Sequence, residues 1–235
     1  MKLSIIMPMY NEKNIVENLK YALSSLKKVS SDFEIILVDD GSKTNCFYEA
    51  KKFSNSKVKV VGYKKNQGKG NAIKYGFKFV KGNYVAFVDA GQDINPLQLK
   101  NFLEIMKREN SDIVIGSKRH PDSVVHYPIF RKLMSWTYQI INSILFNLNV
   151  RDTQVGIKLF KREVLNKVMP KIAIKRFAFD LELLVIANKI GYKITEAPVK
   201  IHYKFYSTIN TFSVFWILWD TAAIFYRMKI RRHYG

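Results

Sequence analysis

The sequence predicts an α/β fold, a mostly parallel sheet flanked by helices and followed by an amphipathic C-terminal helix. Three observations predict it. Strand-like runs rich in Ile, Val and aromatics alternate with helical patterns through the first 117 residues, the rhythm of βαβ units. No repeat, low-complexity tract or Pro/Gly-rich linker divides the chain. Its 235 residues, 48% hydrophobic and 14% aromatic, suffice for one substantial core, since domains commonly hold roughly 100–200 residues.

The first strand is expected at Leu3–Met7, an apolar run below the roughly 7–15 residues of a signal-peptide core. Ile15–Leu26 carries Ile15, Leu19, Ala22 and Leu26 at helical spacing. Further strands are expected at Glu34–Val38, Lys57–Gly62, Tyr84–Val88 and Asp112–Gly116, and a helix from Pro96 to about Lys107 with Asn95 as its cap. The segment Asn66–Ala72 reads as a loop with flexible backbone. Beyond residue 118 the rhythm changes to a long helix at Tyr127–Leu148, a strand near Gly156–Phe160, helices near Arg162–Met169 and Asp180–Ile190, and a strand near Lys193–Ile201. Gly191 is expected to stop the second of those helices.

Thirty-nine Lys and Arg against 19 Asp and Glu give a net charge of +20, which suits nucleic acid, an anionic membrane face, phosphorylated substrates or a merely solvated basic surface. Arg227, Lys229, Arg231 and Arg232 follow the apolar stretch Phe212–Tyr226. That stretch would be about 22 Å long as a helix, whereas crossing a bilayer takes roughly 20 apolar residues, and Asp220 lies within it. An interfacial helix on anionic lipid fits better, with packing on the protein as the alternative. Cys46 is the single cysteine, so no internal disulfide forms and a reducing compartment is expected.

In an open α/β sheet, ligands bind outside the carboxyl ends of the strands. Three such ends carry acids here: Pro8-Met9-Tyr10-Asn11-Glu12, Val38-Asp39-Asp40-Gly41-Ser42 and Val88-Asp89-Ala90-Gly91-Gln92-Asp93. Asn66-Gln67-Gly68-Lys69-Gly70 adds a cation able to approach a phosphate, and together they suggest a nucleotide diphosphate held with a metal. Gly62 and Gly68 enclose one residue too many for a P-loop, and Ile73 stands where a dinucleotide fingerprint needs its last glycine. Acids at strand ends also argue against a nucleic-acid partner.

These motifs, in this order and spacing, resemble those of family 2 glycosyltransferases with the GT-A, Rossmann-like fold. Gly116-Ser117-Lys118, Arg131 with Ser135, Arg151-Asp152-Thr153-Gln154-Val155-Gly156-Ile157-Lys158-Leu159-Phe160 and Phe177-Ala178-Phe179-Asp180-Leu181-Glu182-Leu183 resemble the polyprenyl-phosphate branch, dolichyl-phosphate glucose synthases most of all. The resemblance implies inverting transfer of a sugar, glucose from UDP-glucose or alternatively mannose from GDP-mannose, to a polyprenyl or dolichyl phosphate at the cytoplasmic face of a membrane. It implies a GT-A domain over residues 1–210, with a nucleotide-sugar half (1–117) and an acceptor half (118–210), and a membrane-associated basic tail over 211–235.

Residue by residue, it implies that Pro8, Tyr10, Glu12, Asp39, Asp40, Gly68, Lys69, Gly70, Asp89 and Ala90 bind the donor, with Asp39 on the base. It assigns Asp89 to divalent metal, Mg²⁺ or Mn²⁺. The family's Asp-x-Asp signature reads Asp89-Ala90-Gly91 here, so Asp93 is the candidate second ligand. Lys118, Arg119 and Arg131 are expected on the acceptor phosphate, and Asp89, Lys118, Arg131, Asp152 and Gln154 at the reaction centre. Asp180 and Glu182, at a helix start, read chiefly as partners of the helix dipole.

Overall fold

A computed structural model describes residues 2–125, 129–176, 178–202, 211–231 and 233–234, and of residues 129–135 and 211–215 the backbone alone. Seven strands form one sheet: β1 (Leu3–Met9), β2 (Phe33–Asp39), β3 (Val58–Gly62), β4 (Tyr84–Val88), β5 (Ile113–Ser117), β7 (Ile157–Lys161) and β8 (Ile194–Pro198), in the order β3-β2-β1-β4-β7-β5-β8. Only β7 runs antiparallel, wedged between β4 and β5. The expected Lys193–Ile201 strand divides at Pro198–Val199 into β8 and β9 (Lys200–Ile201), and β9 pairs with β6 (Val124–Val125) in a small second sheet.

Helices α1 (Ile15–Lys27), α4 (Leu99–Arg108), α5 (Ile129–Phe146), α6 (Arg162–Val168) and α7 (Phe179–Ile190) stand close to their expected places. Asn95 Oδ1 accepts the Leu97 amide at 2.9 Å, and Gly191, at φ 95°, ends α7. Two helices went unpredicted, α2 (Cys46–Lys51) and α3 (Lys69–Phe77). The second corrects the expectation of a flexible loop at Asn66–Ala72. Gly70 and Gly76 lower its helix propensity, yet both are required by contact. A Cβ on Gly70 would lie 2.6 Å from Phe179 Cβ, and one on Gly76 2.8 Å from Ile6 and Val38 side chains.

Apolar cores cover both faces of the sheet. The C-terminal helix α8 (Thr211–Phe225) continues into a π-helical turn, Tyr226–Ile230, and joins the core that holds α3 and α7 through Ile224, Met228 and Tyr234. Arg227, expected among lipid-facing cations, turns inward instead, with its Nη2 donating to Glu182 Oε1 at 3.0 Å. Among the described residues no helix is long and apolar enough to cross a membrane. Arg232 lies outside the described residues.

At the sheet edge formed by the starts of β5 and β8, Asp112 accepts from Lys161 Nζ at 2.7 Å and from the Lys193 amide at 3.0 Å. Partial burial works against its charge, but the Lys161 and Lys193 bonds hold its pKa below the usual 3.8. Its stabilising effect is therefore present above that value and lost as pH falls through the lower, folded-state pKa. Asp112→Asn should cost about 1 kcal/mol at pH 7, a gap that closes toward pH 3 in urea unfolding followed at both pH values.

Candidate active site

Parallel strands deliver their carboxyl ends to one edge of the sheet, and β7, being antiparallel, delivers its beginning there. Between them opens a cleft of about 870 Å³. Its walls include Pro8 near the end of β1 and Tyr10 and Glu12 after that strand, Asp40 after β2, Gly68 and Lys69 at the start of α3, Asp89, Ala90 and Asp93 after β4, Lys118 after β5 and Gln154 before β7. Eleven of the expected site residues thus share one cavity wall.

The loops are locked before any ligand binds. Asn11, at φ 51°, accepts the Lys43 amide on Oδ1 at 2.8 Å, while its own amide donates to Ser42 Oγ at 2.8 Å. Asp40 shapes the next loop: its carboxylate accepts from Tyr63 Oη at 2.6 Å, Asn66 Nδ2 at 3.0 Å, and the amides of Gln67 at 2.8 Å and Gly68 at 2.9 Å. With so many donors satisfied, Asp40 supports the wall more than it offers a contact. Asp39 lies off the wall, buried, with its carboxylate on the Ser42 amide at 3.2 Å. Gly70 is likewise off the wall, packed on Phe179.

Asp89 projects into the cleft, half-exposed, and pairs with Lys69 Nζ at 2.6 Å. Loss of hydration pushes the Lys69 pKa down, but Asp89 and then Asp180 outweigh it and raise the pKa above the ordinary lysine value. The Asp89 amide donates to Gly156 O at 3.1 Å, and a Cβ on Gly156 would stand 1.9 Å from Asp89 Oδ2. Glycine at 156 is thus what leaves this carboxylate its place.

Asp152 is buried behind Lys118. It accepts from Lys118 Nζ at 3.0 Å and from the amides of Lys118 at 3.2 Å and Gln154 at 3.0 Å. Asp152 therefore acts through Lys118 and Gln154 and does not line the cleft. Gln154 Nε2 is buried with no hydrogen-bond partner among the described residues. Arg119 is not on the wall; Arg131 lies in the first turns of α5, and its side chain lies outside the described residues.

Sequence reasoning passed over Lys158, Arg176 and the cleft role of Asp180. Lys158 Nζ, fully buried, meets Asp180 Oδ1 at 2.8 Å, and Asp180 and Arg176 line the cleft. A lysine amid the apolar run Ile157–Phe160 was the available signal. Glu182, by contrast, is structural: it accepts the Ala173 and Ile174 amides at 3.0 and 2.7 Å, Arg227, and the Tyr234 hydroxyl.

Among the described residues no three His, Cys, Asp or Glu side chains converge as a metal cage. Of the five carboxylates on the cleft wall, Asp40 is taken up by its own loop and Asp180 by Lys158, Glu12 follows β1, and Asp89 and Asp93 both follow β4. That donor set fits a hard cation that takes one or two carboxylates and completes its shell with phosphate oxygens and water.

Acids and cations thus gather in one cleft outside the carboxyl ends of a mostly parallel sheet. The model of glycosyl transferase family 2 matches residues 4–169, and the chain belongs to that family. Over 217 residues it is 31% identical to a dolichyl-phosphate beta-glucosyltransferase of Dictyostelium discoideum, and over 216 residues 33% identical to one of Homo sapiens, each match covering 84% of this chain. The chain spans 65% and 66% of those relatives' lengths. The fold matches glucosyl-3-phosphoglycerate synthase of Mycobacterium tuberculosis, solved with Mn²⁺, UDP and phosphoglyceric acid, at a TM-score of 0.70 and 16% identity, over 95% of this chain and 78% of that one.

Gly156→Ala, by driving a methyl into Asp89, should weaken divalent-ion-dependent nucleotide binding by about tenfold or more, the loss expected when one charge-assisted contact is misplaced. Calorimetric titration beside a thermal melt checks this, with the melting temperature expected to change little.

Proposed function

We propose that the chain transfers glucose from UDP-glucose to dolichyl phosphate or a related polyprenyl phosphate, with inversion at the anomeric carbon. The observation that carries this reading is the single cleft in which Asp89 and Lys69 face Lys118. One end suits a metal-bound diphosphate and the other an anionic acceptor. The relatives' names supply the lipid and the sugar. The donor half, 1–117, and the acceptor half, 118–210, meet at this cleft.

Most sugar acceptors are hydroxyls that need a base, whereas a phosphate monoester, with a second pKa near 6, is already largely ionised at neutral pH. The acceptor therefore needs cations. Lys118, fixed by Asp152, supplies one, and Arg131 and Arg119 are proposed to supply others. An acceptor phosphate oxygen forms its bond to the anomeric carbon as the bond from that carbon to the diphosphate breaks. Lys69 meets the charge that develops on the departing diphosphate. A divalent ion, held by Asp89 and Asp93, would neutralise the diphosphate as a Lewis acid. A Cβ at Gly91 would meet nothing within 4 Å, so space is not what excludes the family's second carboxylate there.

The acceptor's greasy chain calls for a membrane, and the cytoplasmic leaflet, anionic and on the reducing side, suits both the basic surface and the free, buried Cys46. Helices α5 and α8 touch through Tyr138 Oη and Thr221 Oγ1 at 3.0 Å and through the Phe146 and Phe225 rings. Together they expose Trp136, Ile140, Ile144, Leu218, Trp219, Tyr226 and Ile230, with Lys229 and Arg231 alongside. Exposed aromatic and basic groups in this part of the chain suit the headgroup region.

Two measurements test these readings. Membranes containing the protein, given polyprenyl phosphate and a panel of labelled UDP- and GDP-sugars, should move label from UDP-glucose into the lipid phase, and Asp89→Ala and Arg131→Ala should each nearly abolish it. No transfer from any donor overturns the activity, and transfer from GDP-mannose alone corrects the sugar. Trp136→Asp combined with Trp219→Asp should cut co-sedimentation with phosphatidylserine vesicles by about tenfold or more, each buried Trp being worth roughly 1.5–3 kcal/mol.

A further inference from the structure

Beneath the cleft lies a cation that the proposed transfer does not itself touch. Lys158 sits on β7 with 2% of its side chain exposed, and its Nζ donates to Asp180 Oδ1 at 2.8 Å and to Val155 O at 2.7 Å. An ammonium so buried persists only with a close counter-ion and a satisfied shell, and a buried pair of this kind does more to fix two side chains relative to one another than to add stability. Burial lowers the Lys158 pKa, with Asp180 opposing the shift.

Asp180 carries that constraint up to the cleft wall, which it lines. There the first turn of α7 is pressed against the first turn of α3. A Cβ on Gly70 would come within 2.6 Å of Phe179, and the Asn71 amide donates to Lys175 O at 3.1 Å. This contact puts Lys69 and Asp180 on the same stretch of cleft wall, near enough for Asp180 to favour the Lys69 charge without a direct ion pair. Lys69 Nζ pairs with Asp89 at 2.6 Å. Four charges thus alternate from the core to the cleft: Lys158, Asp180, Lys69, Asp89.

We propose that Lys158 is a positioning residue for the donor site: it fixes Asp180, and Asp180 together with Asp89 aims the Lys69 ammonium at the place a donor diphosphate oxygen will occupy. The inference rests on the reading of the cleft as a nucleotide-sugar site. Lys158 never meets the donor, so its effect is transmitted by placement alone.

Lys158→Met by itself leaves the Asp180 carboxylate buried without its partner and can unfold the chain, so the test adds Lys158→Met combined with Asp180→Asn, which removes both charges and nearly preserves both volumes. The double variant should melt near the wild-type temperature. It should bind UDP with Mn²⁺ about tenfold or more weakly in calorimetry, the loss of one well-aimed charge-assisted contact. Without any nucleotide, Lys69 should be acetylated by acetic anhydride about threefold faster, its side chain no longer being held in place against Asp89; mass spectrometry of the Lys69 peptide reads this. A folded double variant that binds UDP within twofold of wild type and labels Lys69 at the wild-type rate overturns the proposal. Wild-type protein that binds neither UDP nor GDP overturns the donor reading instead, and the labelling rate then decides the positioning role alone.

Discussion

The cleft depends on one strand running against its neighbours. Because β7 is antiparallel, the residues that begin it arrive where β1, β2, β4 and β5 end, and so the chain from Asp152 to Lys158 meets the loops of the first half. Gly156 then stands against Asp89 with no room for a methyl, and Asp152 reaches across to Lys118. A parallel β7 would send this segment to the far edge, where Lys161 and Asp112 now close the sheet. The site is thus a consequence of topology before it is one of side-chain choice, and the two halves of the chain cannot be separated without dismantling it.

Electrostatics at the cleft run against the chain as a whole. Net charge is +20, yet the three lysines at or behind the cleft are each paired with an acid, Lys69 with Asp89, Lys158 with Asp180 and Lys118 with Asp152. Pairing of this kind keeps cations in fixed positions at lower dielectric, where their interaction with an incoming anion is stronger than in water. The unbalanced lysines elsewhere act over longer distances, which salt screens, and suit attraction to an anionic surface more than chemistry.

Much of this was legible in the sequence, and the exceptions share a cause. Strand β1 was visible because Leu3–Met7 is apolar but for Ser4 and both its faces are buried, and α4 because Asn95 and Pro96 announce it. Helix α3 was not, since Gly70 and Gly76 argue against a helix locally while their reason, contact with Phe179 and with Ile6 and Val38, is remote in sequence. The site shows the same division. Acids at strand ends could be found from the strand pattern alone, so Glu12, Asp40, Asp89 and Asp93 were all named. Lys158 could not, because its partner Asp180 lies 22 positions on and the meeting depends on the direction of β7. Asp39, next to Asp40 in sequence, accepts the Ser42 amide, a local turn bond that its position at the end of β2 made foreseeable.

Helix α7 links the cleft to the C-terminal segment. Its Asp180 and Glu182 are two residues apart, which on a helix of 3.6 residues per turn places them on well-separated faces. Asp180 lines the cleft, whereas Glu182 holds Arg227 and the Tyr234 hydroxyl from beyond α8. The backbone amides of Ala173 and Ile174 bind the same Glu182 carboxylate, so the loop that carries Arg176 to the cleft is anchored at the point where the C-terminal segment is anchored. Arg176 also lies over the Trp216 ring of α8, at 5.9 Å. A displacement of α8 must therefore be felt by Arg176 directly and by Asp180 through α7, and both groups line the cleft. Whatever surface α8 rests on, its position and the geometry of the cleft are set by the same few contacts.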